Sequence, residues 1–139
     1  MRAPRIFLDT NVFVYALDRT DPAKRAVAMA LIDTQRDDIV VSAQVLVELW
    51  AVCIRKLGLD PGTSRRMVDA VGAFRVVDTD RDLVLAAAGL SASDQLSIFD
   101  SLIVRAAQRA GCEKLMTEDL QAGRLFGDLL IENPFASNH

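Results

Sequence analysis

Histidine is nearly missing from this sequence, since the single one, His139, is the last of 139 residues. We therefore expect neither a histidine-based metal site nor a Ser-His-Asp triad. Cysteine is also scarce. Cys53 and Cys112 stand alone with no CxxC spacing, which favours two reduced core residues over a disulfide or a metal pair.

Long apolar runs are missing too, and none approaches the length that spans a membrane. The N-terminus has no signal-peptide layout, so we expect a cytoplasmic protein that does not associate with membranes. A basic excess is also lacking: the net charge is −3 and the pI about 5.1. This argues against a protein that coats nucleic acids. It does not argue against a nuclease, because acids gathered around a cation lower the net charge and still serve phosphate chemistry.

The chain has 51% apolar and 25% charged residues, which predicts a single domain over 1–139 with a real core. Strand-like and helical segments alternate, and this pattern predicts a parallel sheet of four to five strands covered on both faces by helices. The predicted strands are 5–9, 39–42, 74–78, 114–117 and a possible fifth at 129–133, and the predicted helices are about 11–17, 22–34, 43–57, 61–73, 80–90 and 97–110.

Several residues mark the predicted helix ends. Pro22 suits a first helical turn, Ser42 is a candidate N-cap, and Gly58 and Gly111 are expected to end helices. Within 22–34, apolar residues recur at helical spacing and predict a helix; these are Ala26, Val27, Ala30 and Leu31.

Two acidic residues stand where predicted strands end. Asp9 closes the strand 5–9, and Asp119 follows the strand 114–117. In open sheets of this kind, ligands bind beyond the carboxyl ends of the strands, near the point where strand order reverses. We therefore expect Asp9 and Asp119 to meet there.

Two more acids lie on helices in apolar surroundings. Asp100 precedes Ile103, Val104 and Ala107 by helical spacing, so its carboxylate is predicted to lie on the inward stripe. Glu48 is the only charge before Arg55 in a helix that is apolar almost all round. Such a helix should be mostly buried, and its one acid then needs a partner.

The four acids Asp9, Glu48, Asp100 and Asp119 can thus reach one point. Clustered carboxylates repel one another unless a cation joins them, and all-oxygen ligands favour Mg²⁺ or Mn²⁺, as one or two ions. Such a site can activate water and cleave a phosphodiester. Neighbouring polar groups are candidates to hold metal-bound water or a phosphate oxygen; these are Thr10, Asn11 and Thr117.

Each acid also has an ordinary structural explanation. Asp9 alone suits a helix cap, Glu48 a pair with an unidentified lysine, Asp100 the helix dipole, and Asp119 a turn. Their joint placement favours one metal site over four separate explanations. The remaining acids near these segments are not flanked by apolar runs and are interpreted as solvated; these are Glu118, Asp94 and Asp128. Glu118 is the first candidate for an exception.

These acidic positions also carry a resemblance to a known family. The sequence resembles the PIN-domain family, and within it the VapC-type toxins of type II toxin–antitoxin pairs. Five segments match in the right order and cover nearly the whole chain: "FLDTNVFVYALD", "VVSAQVLVELWAV", "LSIFDSLIVRAAQRAGC", "LMTEDLQAG" and "ENPF".

The resemblance implies a three-layer α/β/α sandwich and Mg²⁺- or Mn²⁺-dependent endoribonuclease activity. It places the family's acidic positions at Asp9, Glu48, Asp100 and Asp119. It also implies a homodimer and an antitoxin protein whose tail covers the acidic cleft. Basic residues at the cleft mouth would position the RNA backbone; the candidates are Arg19, Arg55, Arg105 and Arg124.

Three other functions are weighed against this one. A haloacid-dehalogenase-like phosphotransferase also begins with a strand and an aspartate, but its second acid would fall at Asn11. A receiver domain would need an acidic pair after the first strand and a lysine where Thr117 stands. A degenerate PIN-like domain would bind RNA or a partner without cleavage, and intact acids argue against it.

Overall fold

The computed structural model describes residues 4–136, so the prediction about His139 lies outside the described residues. Strands and helices alternate along most of the chain. The strands are β1 (Ile6–Leu8), β2 (Ile39–Ser42), β3 (Arg75–Val77), β4 (Lys114–Met116), β5 (Leu125–Phe126) and β6 (Leu129–Glu132); the helices are α1 (Thr10–Leu17), α2 (Pro22–Thr34), α3 (Ala43–Arg55), α4 (Pro61–Gly72), α5 (Arg81–Asp94) and α6 (Ile98–Arg109), with a 3₁₀ turn at Arg36–Asp38.

The sheet has the strand order β3-β2-β1-β4-β6-β5. All neighbouring strands are parallel except β5, which pairs with β6 in the antiparallel sense. The predicted mixed α/β architecture is confirmed, but the sheet has six strands rather than four to five. The missed strand, β5, is only two residues long, so it carries no alternation that a sequence pattern could reveal.

The chain moves outward from β1 to β2 and β3, then crosses back to place β4 on the other side of β1. Right-handed crossovers therefore put the helices between β1 and β3 on one face and the helices before β4 on the other. The contacts agree, because α1 packs on α2 and α3, α3 packs on α4, and α5 packs on α6. This three-layer arrangement leaves a crevice at the carboxyl ends of β1 and β4, where strand order reverses.

The central strands are covered on both faces. Phe7, Leu8, Val41 and Leu115 are fully buried, as expected for a parallel sheet between two helical layers. Cys53 and Cys112 are also buried and are free thiols. No helix within residues 4–136 has the length and apolar character needed to cross a bilayer.

Helix ends follow the predicted signals with small shifts. The Ser42 hydroxyl accepts a hydrogen bond from the Val45 N–H at 3.4 Å, and Pro22 opens α2. Gly111 adopts a φ of +70° directly after the last turn of α6, a conformation that glycine adopts without strain. Helix α3 ends at Arg55, before the predicted 57, and α5 continues past the predicted 90 to Asp94.

One prediction about a helix face is wrong. Helix α3 is not buried all round, because Val47 is 70% and Trp50 40% exposed. Its core face is formed by Val45, Leu49 and Cys53. In α2, the buried residue is Ala28, and Val27 is 40% exposed.

Candidate functional site

Asp9 lies at the reversal point of the sheet, directly after β1. Its backbone N–H donates to the Met116 carbonyl at 3.1 Å, which ties the end of β1 to the end of β4. Oδ1 accepts from the Thr10 N–H at 2.7 Å, and Oδ2 accepts from the Thr117 hydroxyl at 2.8 Å. Asp9 is therefore the N-cap of α1, as the structural explanation expected, but the cap is buried, with 6% of the residue exposed.

Burial makes this carboxylate a poor acid. The pKa of Asp9 is raised to about 6, chiefly by burial; the hydrogen bonds from Thr117 and Thr10 lower it in part, and the negative charges of Asp119 and Glu48 add to the rise. Burial disfavours an anion, and like charges add to that cost. The fold therefore concentrates negative charge at this point without compensating for it fully.

Glu48 reaches the same place from α3. The Thr10 hydroxyl donates to Glu48 Oε2 at 3.4 Å, and Gln44 Nε2 donates to Glu48 Oε1 at 2.6 Å. Glu48 therefore bonds to neutral groups and not to the lysine considered as an alternative partner. They hold the side chain in place and leave its charge available.

The Thr117 hydroxyl joins the other polar groups into one network. It donates to Asp9 and accepts from the Asp119 N–H at 3.1 Å and from Asn11 Nδ2 at 3.3 Å. The same Asn11 amide donates to Asp119 Oδ2 at 3.2 Å. Thr117 is completely buried, so a single interior hydroxyl orients the residues that follow β1 and β4.

Asp100 is placed differently from the other three acids. It lies in the first turn of α6, where its N–H donates to the Ser97 hydroxyl at 3.0 Å. Burial raises the pKa of Asp100, the hydrogen bond with Ser97 lowers it in part, and the charge of Asp119 adds to the rise. The predicted inward stripe is confirmed, because Ile103, Val104 and Ala107 are buried.

A cavity of about 210 Å³ collects three of the four predicted acids: Asp9, Glu48 and Asp119 line it together with Thr10 and Asn11. Asp100 is outside this lining and interacts with it through Asp119. We call this the carboxylate cavity. A second cavity, of about 170 Å³ among α1 to α4, is lined almost wholly by apolar side chains and offers no comparable chemistry.

The oxygen-rich carboxylate cavity fits a hard cation. Within residues 4–136, no three acidic, histidine or cysteine side chains stand close enough to form a ready-made metal cage. Mg²⁺ seldom needs one, because it keeps several water ligands and binds through one or two carboxylates. The buried Asn11 Oδ1 has no hydrogen-bond partner among these residues, and it is a further oxygen suited to such a hydrated ion.

Glu118, the first candidate for an exception among the acids interpreted as solvated, is indeed held by other side chains. The Tyr15 hydroxyl donates to its Oε1 at 2.7 Å, and Lys24 Nζ lies 3.3 Å from its Oε2. Lys24 also lies over the Tyr15 ring, 4.5 Å from its centroid, and Tyr15 meets Phe135 edge-on at 4.7 Å. Sequence spacing gave no sign of this group, because its members come from four distant segments.

Two of the candidate arginines make structural contacts. Arg124 pairs with Asp94 at 2.8 Å and lies over the Phe126 ring, so Asp94 is paired rather than solvated. Arg105 Nη1 donates to Gln108 Oε1 at 2.7 Å.

The basic residue that lines the carboxylate cavity is Lys56, which the sequence analysis missed. Helical spacing did not single it out, because Arg55, seven residues after Glu48, falls nearer the Glu48 face of the helix than Lys56 does.

Comparisons with known proteins agree with this architecture. A family model described as the PIN domain matches residues 6–125. A search of curated proteins found no match.

Three solved structures are similar in fold. A chain of a toxin–antitoxin complex from Klebsiella pneumoniae is 16% identical with a TM-score of 0.72, covering 94% of this chain and 98% of the other. Mycobacterium tuberculosis VapC20, described as a sarcin–ricin loop cleaving toxin, is 22% identical with a TM-score of 0.62, covering 79% and 86%. VapBC2 from Rickettsia felis, bound to a DNA fragment from its promoter, is 21% identical with a TM-score of 0.64, covering 92% and 97%.

Proposed function

The chain belongs to the PIN-domain family, and from that premise we propose that it is a metal-dependent endoribonuclease acting as the toxin of a toxin–antitoxin pair. One observation carries the proposal. Asp9, Glu48 and Asp119 line a single cavity at the carboxyl ends of adjacent strands. The raised pKa of Asp9 indicates that negative charge is poorly compensated in this cavity, which favours binding of a cation.

In this proposal Asp9, Asp100 and Asp119 hold a Mg²⁺ or Mn²⁺ ion directly or through water, and Glu48 completes the site. When bound, such an ion lowers the pKa of a coordinated water and neutralises charge on the phosphate. Glu48 is held by Gln44 and Thr10, so its remaining acceptor capacity is directed at a fixed position. It either orients the attacking water or serves a second ion.

The reaction is hydrolysis of a phosphodiester. The water oxygen forms a new bond to phosphorus, the bond from phosphorus to the leaving ribose oxygen breaks, and the water supplies the protons needed by the products. The Thr117 hydroxyl keeps Asp9 and Asp119 at hydrogen-bonded positions through this reaction. Asn11, with an amide that both donates and accepts, supports the same geometry or a phosphate oxygen.

We also propose a homodimer and an antitoxin partner. Support comes from similarity in fold to a chain of a toxin–antitoxin complex and from exposed apolar residues on this chain. Val47 and Phe99 are 70% and 66% exposed, and Gln44 brings α3 next to α6 by donating to the Phe99 carbonyl at 3.3 Å. Apolar side chains exposed together are typical of contact surfaces. The antitoxin is expected to cover the carboxylate cavity with a basic side chain.

The main competing function is binding of RNA or a partner without cleavage. Membership in the PIN-domain family removes the phosphotransferase and receiver-domain alternatives. The position that a phosphotransferase would fill with an acid is Asn11, whose amide is already bonded to Thr117 and Asp119.

RNA cleavage tests the proposal directly. Purified protein is incubated with total RNA in Mg²⁺, in Mn²⁺ and with a chelator, and the cut ends are mapped. We expect metal-dependent cuts that Asp9→Asn abolishes, because it removes the charge and keeps the side-chain volume. Asp128→Asn is the matched control, since Asp128 is exposed in the turn before β6. Absence of cleavage in the wild type, or equal cleavage by Asp9→Asn, would refute it.

A further inference from the structure

Another cavity lies beside the carboxylate cavity and shares one lining residue, Lys56, with it. It has a volume of about 380 Å³ and is lined by residues 17–20, by Lys56 and by Leu57 and Leu59. Lys56 also lines the carboxylate cavity. Lys56 therefore lies between the two cavities, and a chain bound at the acids could pass its ammonium group into this neighbouring cavity. We call the neighbouring cavity the side groove.

The walls of the side groove are fixed by local hydrogen bonds. Asp18 Oδ1 accepts from the Thr20 N–H at 3.0 Å and from the Thr20 hydroxyl at 2.6 Å, which closes a tight turn around Arg19. On the opposite wall, the N–H groups of Leu57 and Leu59 donate to carbonyls of α3 at 3.0 and 2.9 Å. A groove with both walls anchored binds a ligand without first having to be ordered.

The charges of the side groove are suited to an anion. Arg19 and Lys56 contribute two positive charges, and Asp18 contributes one negative charge that is committed to Thr20. Within the described residues neither cation forms an ion pair, although the charge of Lys56 reaches Asp18 and, after the hydrogen bonds from Thr20, helps to lower its pKa. The rest of the lining includes the leucine side chains of residues 17, 57 and 59.

We propose that the side groove is a nucleotide subsite, in which Lys56 binds the phosphate next to the scissile one and Arg19 with the leucines holds the adjoining nucleotide. This inference rests on the proposed nuclease function. A single strand presents both phosphates and bases, and the side groove offers both cations and apolar side chains to receive them. The volume falls within the ~300–1,000 Å³ range of ordinary ligand sites. Single-stranded RNA is favoured over a duplex because the side groove is a recess between the loops that follow α1 and α3.

The test measures how salt changes RNA binding. A short labelled single-stranded RNA is titrated by fluorescence anisotropy between about 50 and 200 mM KCl. Asp9→Asn is the background, so that binding is observed without cleavage. Lys56→Gln and Arg19→Gln are compared with Arg55→Gln. Arg55 was a sequence candidate for RNA contact, but its side chain is exposed and lines neither cavity, so its substitution removes the same charge outside the proposed subsite.

Each lost phosphate contact should lower the slope of log K against log salt by about 0.7 for a single strand. Raising the salt across that range should therefore weaken RNA binding by Lys56→Gln about threefold less than it weakens RNA binding by the background protein. The double variant with Arg19→Gln should flatten the slope further, and Arg55→Gln should leave it unchanged. Equal slopes for Lys56→Gln and Arg55→Gln would overturn the subsite.

Cleavage assays on the same substitutions in the wild-type background separate the two proposals. If Lys56→Gln and Arg19→Gln cut RNA in a metal-dependent way with an unchanged kcat/KM, the subsite proposal would be refuted and the nuclease proposal would be supported. Conversely, if the slope of log K against log salt for RNA binding depends on Lys56 but the wild type cuts no RNA, the RNA-binding groove would be supported and the nuclease proposal would be refuted.

Discussion

Removing the charge of Asp9 should change how the stability of the metal-free protein depends on pH. The folded state raises the pKa of this carboxyl from 3.8 to about 6, chiefly by burial, so the folded protein holds its proton more tightly than the unfolded chain does. The carboxyl therefore contributes stability that is present at low pH and lost as the pH rises through about 6. Over the full titration this amounts to about 3 kcal/mol, of which about 1.4 kcal/mol falls between pH 7 and pH 5.

The assay is urea unfolding in the presence of a chelator at pH 7 and pH 5. The wild type should gain about 1.4 kcal/mol more than Asp9→Asn on going from pH 7 to pH 5, because the asparagine does not titrate. All other groups titrate in both proteins and largely cancel in the difference. Asp128→Asn, which removes an exposed carboxylate at the amino end of β6, should behave as the wild type. Equal pH dependence of wild type and Asp9→Asn would refute the argument that Asp9 is a buried, poorly compensated anion.

Three further predictions follow from the same geometry. Mg²⁺ at about ten times its Kd should stabilise the protein at pH 7 by about 1.4 kcal/mol, and by less at pH 5 because protons compete for Asp9. A thermal scan in which Mg²⁺ does not shift the melting temperature would contradict the cation site. Thr117→Val should destabilise the fold by about 2 kcal/mol, because it leaves the Asp119 N–H without its acceptor and removes a hydrogen bond that lowers the pKa of Asp9. Since that second bond favours the charged carboxylate, the loss should be larger at pH 7 than at pH 5. Equal losses at both pH values in urea unfolding would contradict this. Phe99→Ser should shift the protein toward the monomer in sedimentation, whereas Leu125→Ser, a residue of similar exposure, should not.

The sequence was most informative where local pattern and topology agree. Asp9 and Asp119 follow strands, and parallel strands end at one edge of the sheet, so their meeting could be predicted without coordinates. Thr117 could be named for the same reason. The carboxylate of Glu48 could be predicted to face inward from the apolar residues that surround it, although the helix itself proved to be exposed on its other side.

Other features depend on contacts that no local pattern encodes. The position of Asp100 relative to the cavity depends on how far α6 lies from the end of β4, and helical spacing gives only the face of the helix. Tyr15 and Glu118 are separated by 103 positions in the chain, so only the folded structure could reveal their hydrogen bond. The same holds for β5, whose pairing with β6 arises from a tight turn and not from its own two residues.

The arrangement around Asp9 shows why fold and proposed activity are hard to separate in this protein. Burial opposes the charge on Asp9, yet Thr10 and Thr117 hold that carboxylate with hydrogen bonds of 2.7 and 2.8 Å. A hydrogen bond to a buried anion is stronger than one between neutral groups, so the charge that destabilises the site also strengthens the bonds that fix it. Since those bonds join the residues after β1 and β4, a cation that relieved the charge would find its ligands already positioned. We therefore expect substitutions in this network to alter stability and metal response together, whereas changes at Lys56 should affect RNA binding alone.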